Sequence, residues 1–183
     1  AFFKYDPPIT ESSELFWIPW DVVQLVCENP DGAILLGLED DHSPRFAIDI
    51  GESLEHWENV SRHRFEPVRS VAAKLADSQT SIVAQARSIL KWIADHRFCS
   101  RCGSGNSVLF GGYRLQCANL ACGALHFPRI DPVVIMMVVS RDNSKCLLGR
   151  SHDYPERIIA PLAGFMEPGE SIEDAVNREV REE

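Results

Sequence analysis

Gly164-Phe165-Met166-Glu167-Pro168-Gly169-Glu170-Ser171-Ile172-Glu173-Asp174-Ala175-Val176-Asn177-Arg178-Glu179-Val180-Arg181-Glu182-Glu183 are the last twenty residues of the chain, and their reading decides the rest. Pro168-Gly169 marks a turn. Ser171 suits a helix N-cap, with Asp174 three residues on as its acidic partner. The helix this predicts runs to Glu183 and turns Ala175 and Val176 toward a sheet. Glu179, Glu182 and Glu183 stand at i, i+3 and i+4, so all three carboxylates project from one face. Like charges at that spacing repel, and a hard divalent ion such as Mg2+ reverses the cost by taking carboxylate oxygens. Glu170 and Arg178 can pair and orient the cluster from outside. Three glutamates alone read more simply as a solvated acidic helix end. Gly164 separated from Glu170 by five residues, and Glu170 from Arg178 by seven, favour a metal site.

Upstream of this helix, residues 133–139 are a continuous apolar run, which predicts a buried central strand. Residues 141–144 are polar turn material and 146–149 fit a partner strand. Residues 158–162 suggest a further short strand whose pairing Pro161 limits. Earlier still, residues 33–36 and 45–50 read as strands bounded by Asp31-Gly32 and Gly51. A helix is predicted over 80–95, with a core-facing stripe of Ile82, Val83, Ala86, Ile89, Leu90 and Ile93. His42, His56 and His63 are scattered and form no site.

Four of the six cysteines lie in two close pairs, Cys99-x2-Cys102 and Cys117-x4-Cys122, fourteen residues apart. Two such knuckles on a ribbon hairpin can place four thiolates tetrahedrally around Zn2+. Gly103 and Gly123 follow the second cysteine of each knuckle, where a sharp turn lets backbone N–H groups face sulfur. A redox pair is the competing reading of a CxxC. With all four positions filled by protein, the zinc is expected to be structural. Such a ribbon can also serve as a nucleic-acid or protein adaptor. Cys27 and Cys146 lie in apolar stretches and read as buried free thiols.

The chain has 183 residues, 45% of them apolar and 25% charged, with a net charge of −9. That composition supports a packed core. The acidic balance argues against general duplex binding, which draws its affinity from counterion release, and against the adaptor reading in its nucleic-acid form. It leaves nucleotides open, because a metal can bridge two sets of negative oxygens. No apolar run reaches the roughly 18 residues of a membrane span. The start, Ala1-Phe2-Phe3-Lys4-Tyr5, has neither a Met nor a signal-peptide layout, and is expected to be internal to a longer sequence.

The closing string resembles the Nudix box, G-x5-E-x7-R-E-U-x-E-E-x-G-U, at every position the chain contains. Leu162-Ala163-Gly164-Phe165 before the box, the four-cysteine ribbon, residues 92–99 leading into it, and residues 127–135 after it are similar to the NADH pyrophosphatases. The Cys-x4-Cys knuckle resembles the eukaryotic branch. The resemblance implies an α+β chain in three parts: a Nudix-like N-terminal domain over 1–95, a zinc ribbon over 96–128, and the first part of a Nudix α/β/α sandwich over 129–183. It also implies that Glu179 and Glu183 bind catalytic Mg2+ or Mn2+, with Glu182 beside them as ligand or base and the Ala163 carbonyl completing the site. Phe127 would stand where the family usually has a substrate-contacting Tyr. Stacking on a base would survive there, and a hydroxyl hydrogen bond would not.

The implied reaction is hydrolysis of the pyrophosphate bond of NADH or NAD+ to NMNH or NMN and AMP. Decapping of NAD-capped RNA is a related expectation. The alternative is a zinc-ribbon scaffold with a non-catalytic Nudix part. The box is cut before its closing x-G-U and the rest of the sandwich is absent, so the 183-residue piece is expected to be a fragment, poorly stable and inactive alone. A homodimer of the complete protein, in the cytoplasm or peroxisome, is implied by the family.

Overall fold

The computed structural model describes residues 8–9, 14–27, 32–50, 64–150, 152 and 156–183. It divides into two compact units, Ala1–Pro128 and Arg129–Glu183. His56 and His63 lie outside the described residues, and His42 is exposed.

In the first unit, β1 (Pro8–Ile9) pairs antiparallel with β4 (Arg64–Phe65). Helix α1 (Trp20–Val26) precedes a hairpin of β2 (Ile34–Leu38) and β3 (Pro44–Ala47). Asp41 closes the turn by accepting from the Ser43 backbone N–H at 2.9 Å, and His42 takes a positive φ of 65°. Short-chain polar residues at such turns bond their own backbone.

A single turn, α2 (Val68–Val71), leads to the long α3 (Asp77–Asp95). The helix starts three residues earlier than its apolar stripe alone suggests. No side chain caps it, and Asp77 in the first turn complements the helix dipole. The stripe behaves as expected: Val83, Ala86, Ile89 and Leu90 are buried with Leu15, Ile34, Ala47, Val71 and Leu75, while Ile82 and Ile93 pack at the margin. Each fully buried aliphatic side chain contributes about 1.5–3 kcal/mol relative to exposure. Val23, Cys27, Ile48 and Ile50 form a second, smaller cluster.

The ribbon is a three-stranded antiparallel sheet of β5 (Asn106–Leu109), β6 (Arg114–Cys117) and β7 (Leu125–His126). The β5–β6 connection, a 3-10 turn over Phe110–Gly112, sits against β2. A Cβ on Gly112, whose φ is +98°, would lie 2.3 Å from Ile34 Cγ2. Glycine here is required both by the conformation and by the close approach. Tyr113 then packs on the main cluster, and its hydroxyl meets Gln85 of α3. The ribbon is thus tied to the core of the first unit through the loop opposite its cysteines.

The second unit is built from β8 (Val133–Met136), β9 (Leu162–Phe165) and α4 (Ile172–Glu182). Strands β8 and β9 pair antiparallel, Ile135 opposite Ala163 and Val134 opposite Gly164. Ala175 of α4 is fully buried against Val134 and Met136, with Leu162, Met166 and Val176 alongside. Ser171 caps α4: its Oγ accepts from the Asp174 N–H at 3.1 Å and donates to the Asp174 carboxylate at 2.8 Å.

Three expectations for this unit need correction. The 133–139 run is not a strand buried on both faces. It is regular only to Met136 and alternates, with Val133 and Ile135 exposed and Val134 and Met136 buried, because α4 covers one face of the pair. Residues 146–149 partner only the end of that run, through the antiparallel Val139–Cys146 bridge and the Leu147 N–H bond to the Val138 carbonyl at 2.8 Å, with Gly149 bridging Ala160, and β9 takes the ladder along Val133–Met136. Cys146 is exposed, and Cys27 is buried as expected. Among the described residues, no helix is long and apolar enough to cross a membrane.

Candidate functional site

The cysteine quartet is assembled by the two ends of the ribbon. The first knuckle lies between α3 and β5, where Cys99 N–H bonds the Ser104 carbonyl at 2.7 Å and Gly103 N–H bonds the Cys99 carbonyl at 2.9 Å. The second lies between β6 and β7. Gly103 and Gly123 both take positive φ, 76° and 55°. All four Sγ atoms lie within 4.8 Å of one another. The Cys102–Cys117 and Cys99–Cys122 separations are 3.4 and 3.9 Å. Tetrahedral zinc with its usual Zn–S length sets sulfurs about 3.8 Å apart, whereas a disulfide needs about 2.05 Å.

The Arg101 backbone N–H points at Cys99 Sγ at 3.4 Å, the kind of donor that supports a bound thiolate. Hydrogen bonds from Ser104 bring the Cys102 thiol down to about 6, while burial pushes Cys117 up to about 12. Four sulfurs converging from two knuckles, not one pair, are the donor set of structural zinc.

The carboxylate site is organised by Arg178, and more completely than its spacing in the sequence suggested. All five of its N–H donors are used. Nε and Nη2 form a two-point contact with Glu170 at 2.7 and 3.0 Å, Nη2 also reaches the Phe165 carbonyl at 2.8 Å, and Nη1 bridges Glu179 at 2.8 Å and Glu182 at 3.1 Å. Guanidinium's rigid fork makes this possible where an ammonium's three donors could not. Glu170 also accepts the Glu167 backbone N–H at 2.8 Å. These bonds, that from Arg178 first, hold its carboxyl down at about 2. Arg178 is in turn pushed up, chiefly by Glu170. The pair is charged at every physiological pH.

Gly164 acquires a steric meaning that its spacing did not carry. A Cβ built on it would lie 1.9 Å from Glu179 Cδ and 2.0 and 2.1 Å from the two carboxylate oxygens. Its backbone has no positive φ. The glycine is there for space: it lets the Glu179 carboxylate rest on the strand backbone, with only 13% of the side chain exposed. The Gly164–Glu179 packing is a cradle that any side chain would fill.

Of the other predicted residues, Glu182 is 60% exposed and held only by Arg178, and Glu183 is exposed at the helix end. Ala163 lies on β9, paired with Ile135. The three glutamates do not converge as the cysteines do, which form the one potential metal cluster of three or more residues among the described residues. Mutual repulsion accounts for this, with Arg178 as the counter-charge of Glu179 and Glu182. The oxygen-only donor set still suits a hard divalent cation. Phe127 belongs to the first unit, directly after β7, and its ring is 59% exposed.

Sequence reading missed the Phe165 carbonyl and the Glu167 N–H, since backbone groups leave no mark in residue types. It also missed Arg114, whose guanidinium lies over the rings of Phe110 at 4.1 Å and Phe127 at 5.5 Å. The string Phe110-Gly111-Gly112 was the available signal.

Three family models match the chain in succession. An NADH pyrophosphatase-like rudimentary NUDIX domain matches residues 8–92, an NADH pyrophosphatase zinc ribbon domain 94–127, and a NUDIX domain 130–183. Among curated proteins, the chain is 45% identical over 148 residues to the NAD-capped RNA hydrolase NUDT12 of Homo sapiens, covering 75% of this chain and 32% of that protein. It is 40% identical over 164 residues to Nudix hydrolase 19, chloroplastic, of Arabidopsis thaliana, covering 85% and 37%. It is 29% identical over 163 residues to the NAD(P)H pyrophosphatase NUDT13, mitochondrial, of Homo sapiens, covering 84% and 45%. The chain thus spans 32% to 45% of the length of these relatives.

Proposed function

We propose that this chain, which belongs to the NADH pyrophosphatase family of the Nudix superfamily, is part of an enzyme that hydrolyses the pyrophosphate bond of NADH or NAD+ to NMNH or NMN and AMP. NAD-capped RNA, which contains the same bond, is a second substrate, in keeping with the NAD-capped RNA hydrolase NUDT12 among its relatives. The observation that carries this reading is the Glu179 carboxylate seated on Gly164 and pinned by an Arg178 whose every donor is engaged. A non-catalytic scaffold has no need of a carboxylate seated on a glycine and pinned in this way.

Glu179 and Glu183, with Glu182 and the Ala163 carbonyl, are the residues that would hold Mg2+ or Mn2+. Such ions neutralise phosphate charge and lower the pKa of an attacking water. Arg178 keeps Glu179 in place and leaves Glu182, the more exposed carboxylate, able to accept a proton. Phe127 offers an exposed ring on which a base of the substrate can stack. We assign 1–95, 96–128 and 129–183 as the Nudix-like, ribbon and Nudix parts, and a homodimer as the working state of the complete protein. Six unpaired thiols suit a reducing compartment, cytoplasm or peroxisome.

The test is to incubate the complete protein with Mg2+ or Mn2+ and either NADH, ADP-ribose or NAD-capped RNA, resolving products by chromatography. Equimolar NMNH and AMP from NADH support the reading. Failure on all three substrates with zinc bound would leave the scaffold alternative standing.

A further inference from the structure

We propose that the ribbon is a redox switch: hydrogen peroxide oxidises Cys102 and Cys117 to a disulfide across the two knuckles, with release of the zinc they hold. The inference is independent of the reaction assigned above. It begins with unequal exposure. Cys102 is the exposed member of the quartet, Cys122 is partly exposed, and Cys99 and Cys117 are buried. An oxidant arriving from solvent therefore meets Cys102 first. Its surroundings are cationic, since residues 96–128 contain Arg97, Arg101 and Arg114 and no acidic residue within a chain of −9. Reactive cysteines sit in such accessible, electropositive settings.

Distance selects the partner. Cys117 Sγ lies 3.4 Å from Cys102 Sγ, and Cys99 Sγ lies 3.9 Å from Cys122 Sγ. A disulfide needs about 2.05 Å, so an approach of about 1.4 Å closes the nearer pair. Cys117 is fixed at the end of β6, its N–H bonded to the Ala124 carbonyl at 2.9 Å. Cys102 lies in the turn before β5, followed by Gly103 at a φ of 76°. The turn, which carries no ladder, supplies the movement.

The Cys102 sulfur attacks one peroxide oxygen, the O–O bond breaks, and the leaving oxygen takes a proton to become water. The Cys117 sulfur then attacks the sulfenic acid so formed. An S–S bond forms, and the oxygen leaves as a second water with a further proton. Two thiolates lose two electrons, the peroxide gains them, and solvent supplies both protons. Two sulfurs remain, too few for a closed tetrahedral site.

The new bond replaces the metal as a clasp. The two cysteines are 15 residues apart, and the loop they close carries the β5–β6 hairpin, with Gly112 against Ile34 and Tyr113 against Gln85. The oxidised ribbon therefore keeps its seat on the first unit without zinc, whereas the reduced, metal-free ribbon loosens.

The test treats the complete, zinc-loaded protein with hydrogen peroxide. Released zinc is read with a chromogenic chelator, and disulfides are mapped by mass spectrometry after free thiols are blocked. Zinc should leave in step with formation of the Cys102–Cys117 disulfide, and a dithiol reductant with added zinc should restore binding. Cys102→His keeps a three-cysteine, one-histidine zinc site and should slow release by about tenfold or more, while Cys122→His should release at the parental rate. Hydrogen exchange across the β5–β6 hairpin should stay slow in oxidised, zinc-free protein and quicken in reduced, chelated protein. A first disulfide in any other pair, zinc release with sulfinic acid and no disulfide, parental release from zinc-loaded Cys102→His, or equal exchange in the two zinc-free forms overturns the proposal.

Discussion

Replacing Gly164 by Ala adds one methyl group at the point where the Glu179 carboxylate meets the strand. The built Cβ lies 1.9 Å from Glu179 Cδ and 2.0 Å from Oε2. Carbon atoms make their best contact at about 3.5–4.0 Å, so the carboxylate must retreat by about 1.5 Å or more. Glu179 is the end of a flexible side chain and can swing away, at an off-rotamer cost of about 0.5–1.5 kcal/mol. Alanine at a position without positive φ returns about 0.4–1 kcal/mol by restricting the unfolded chain. The two nearly cancel, so the fold should survive and the transition temperature should move by only a few degrees.

The site should not survive. The Arg178 Nη1–Glu179 bond at 2.8 Å breaks, and for the catalytic role proposed for Glu179 a displacement beyond 1 Å costs on the order of a hundredfold in rate. The assay is steady-state NADH hydrolysis by the complete protein across a Mg2+ or Mn2+ titration, beside thermal unfolding and zinc content. The expected result is kcat/KM down about a hundredfold, partly regained at high metal, with zinc unchanged. Activity within threefold of the parent would refute the cradle. A collapse of stability in parallel would refute the claim that glycine serves the carboxylate and not the fold.

Arg178→Lys keeps the charge but loses the five-donor fork, so kcat should fall about tenfold to a hundredfold with the zinc site intact; parental kinetics in Arg178→Lys would mean that charge alone suffices. Glu170 is depressed from an ordinary 4.5 to about 2, so its contribution to stability is complete above 4.5 and is lost as pH falls through 2. Acid unfolding of Glu170→Gln should therefore be flatter than the parent's over that window, and parallel curves would discount the pair. Gly112→Ala, by contrast, forces Cβ within 2.3 Å of Ile34 Cγ2 at a φ of +98°, and should cost about 2–4 kcal/mol, seen as a lower denaturation midpoint. Cys117→Ser should abolish zinc binding by atomic absorption and loosen the ribbon strands, with the Gln85–Tyr113 contact to α3 lost in turn.

Local chemistry was legible in residue order. The α3 stripe, the Ser171 cap, the cysteine knuckles with their glycines, and the Glu170–Arg178 pair each depend on contacts within a few turns or on one hairpin, where spacing and geometry are nearly the same thing. Errors came where a distant element decided the outcome. The apolar run at 133–139 has no period to show that α4 covers one face alone, and Cys146 lies in an apolar stretch yet is exposed.

By itself, then, the sequence determined the ligand types, the helix that carries the carboxylates and the family of folds, because those follow from spacing along one element. Tertiary structure alone decided why Gly164 is glycine, how one guanidinium binds four residues at once, and that Arg114 lies between two phenylalanines. Each of those is a contact between strands, or between strand and helix, set by packing distance, and packing distance is not written in any single segment.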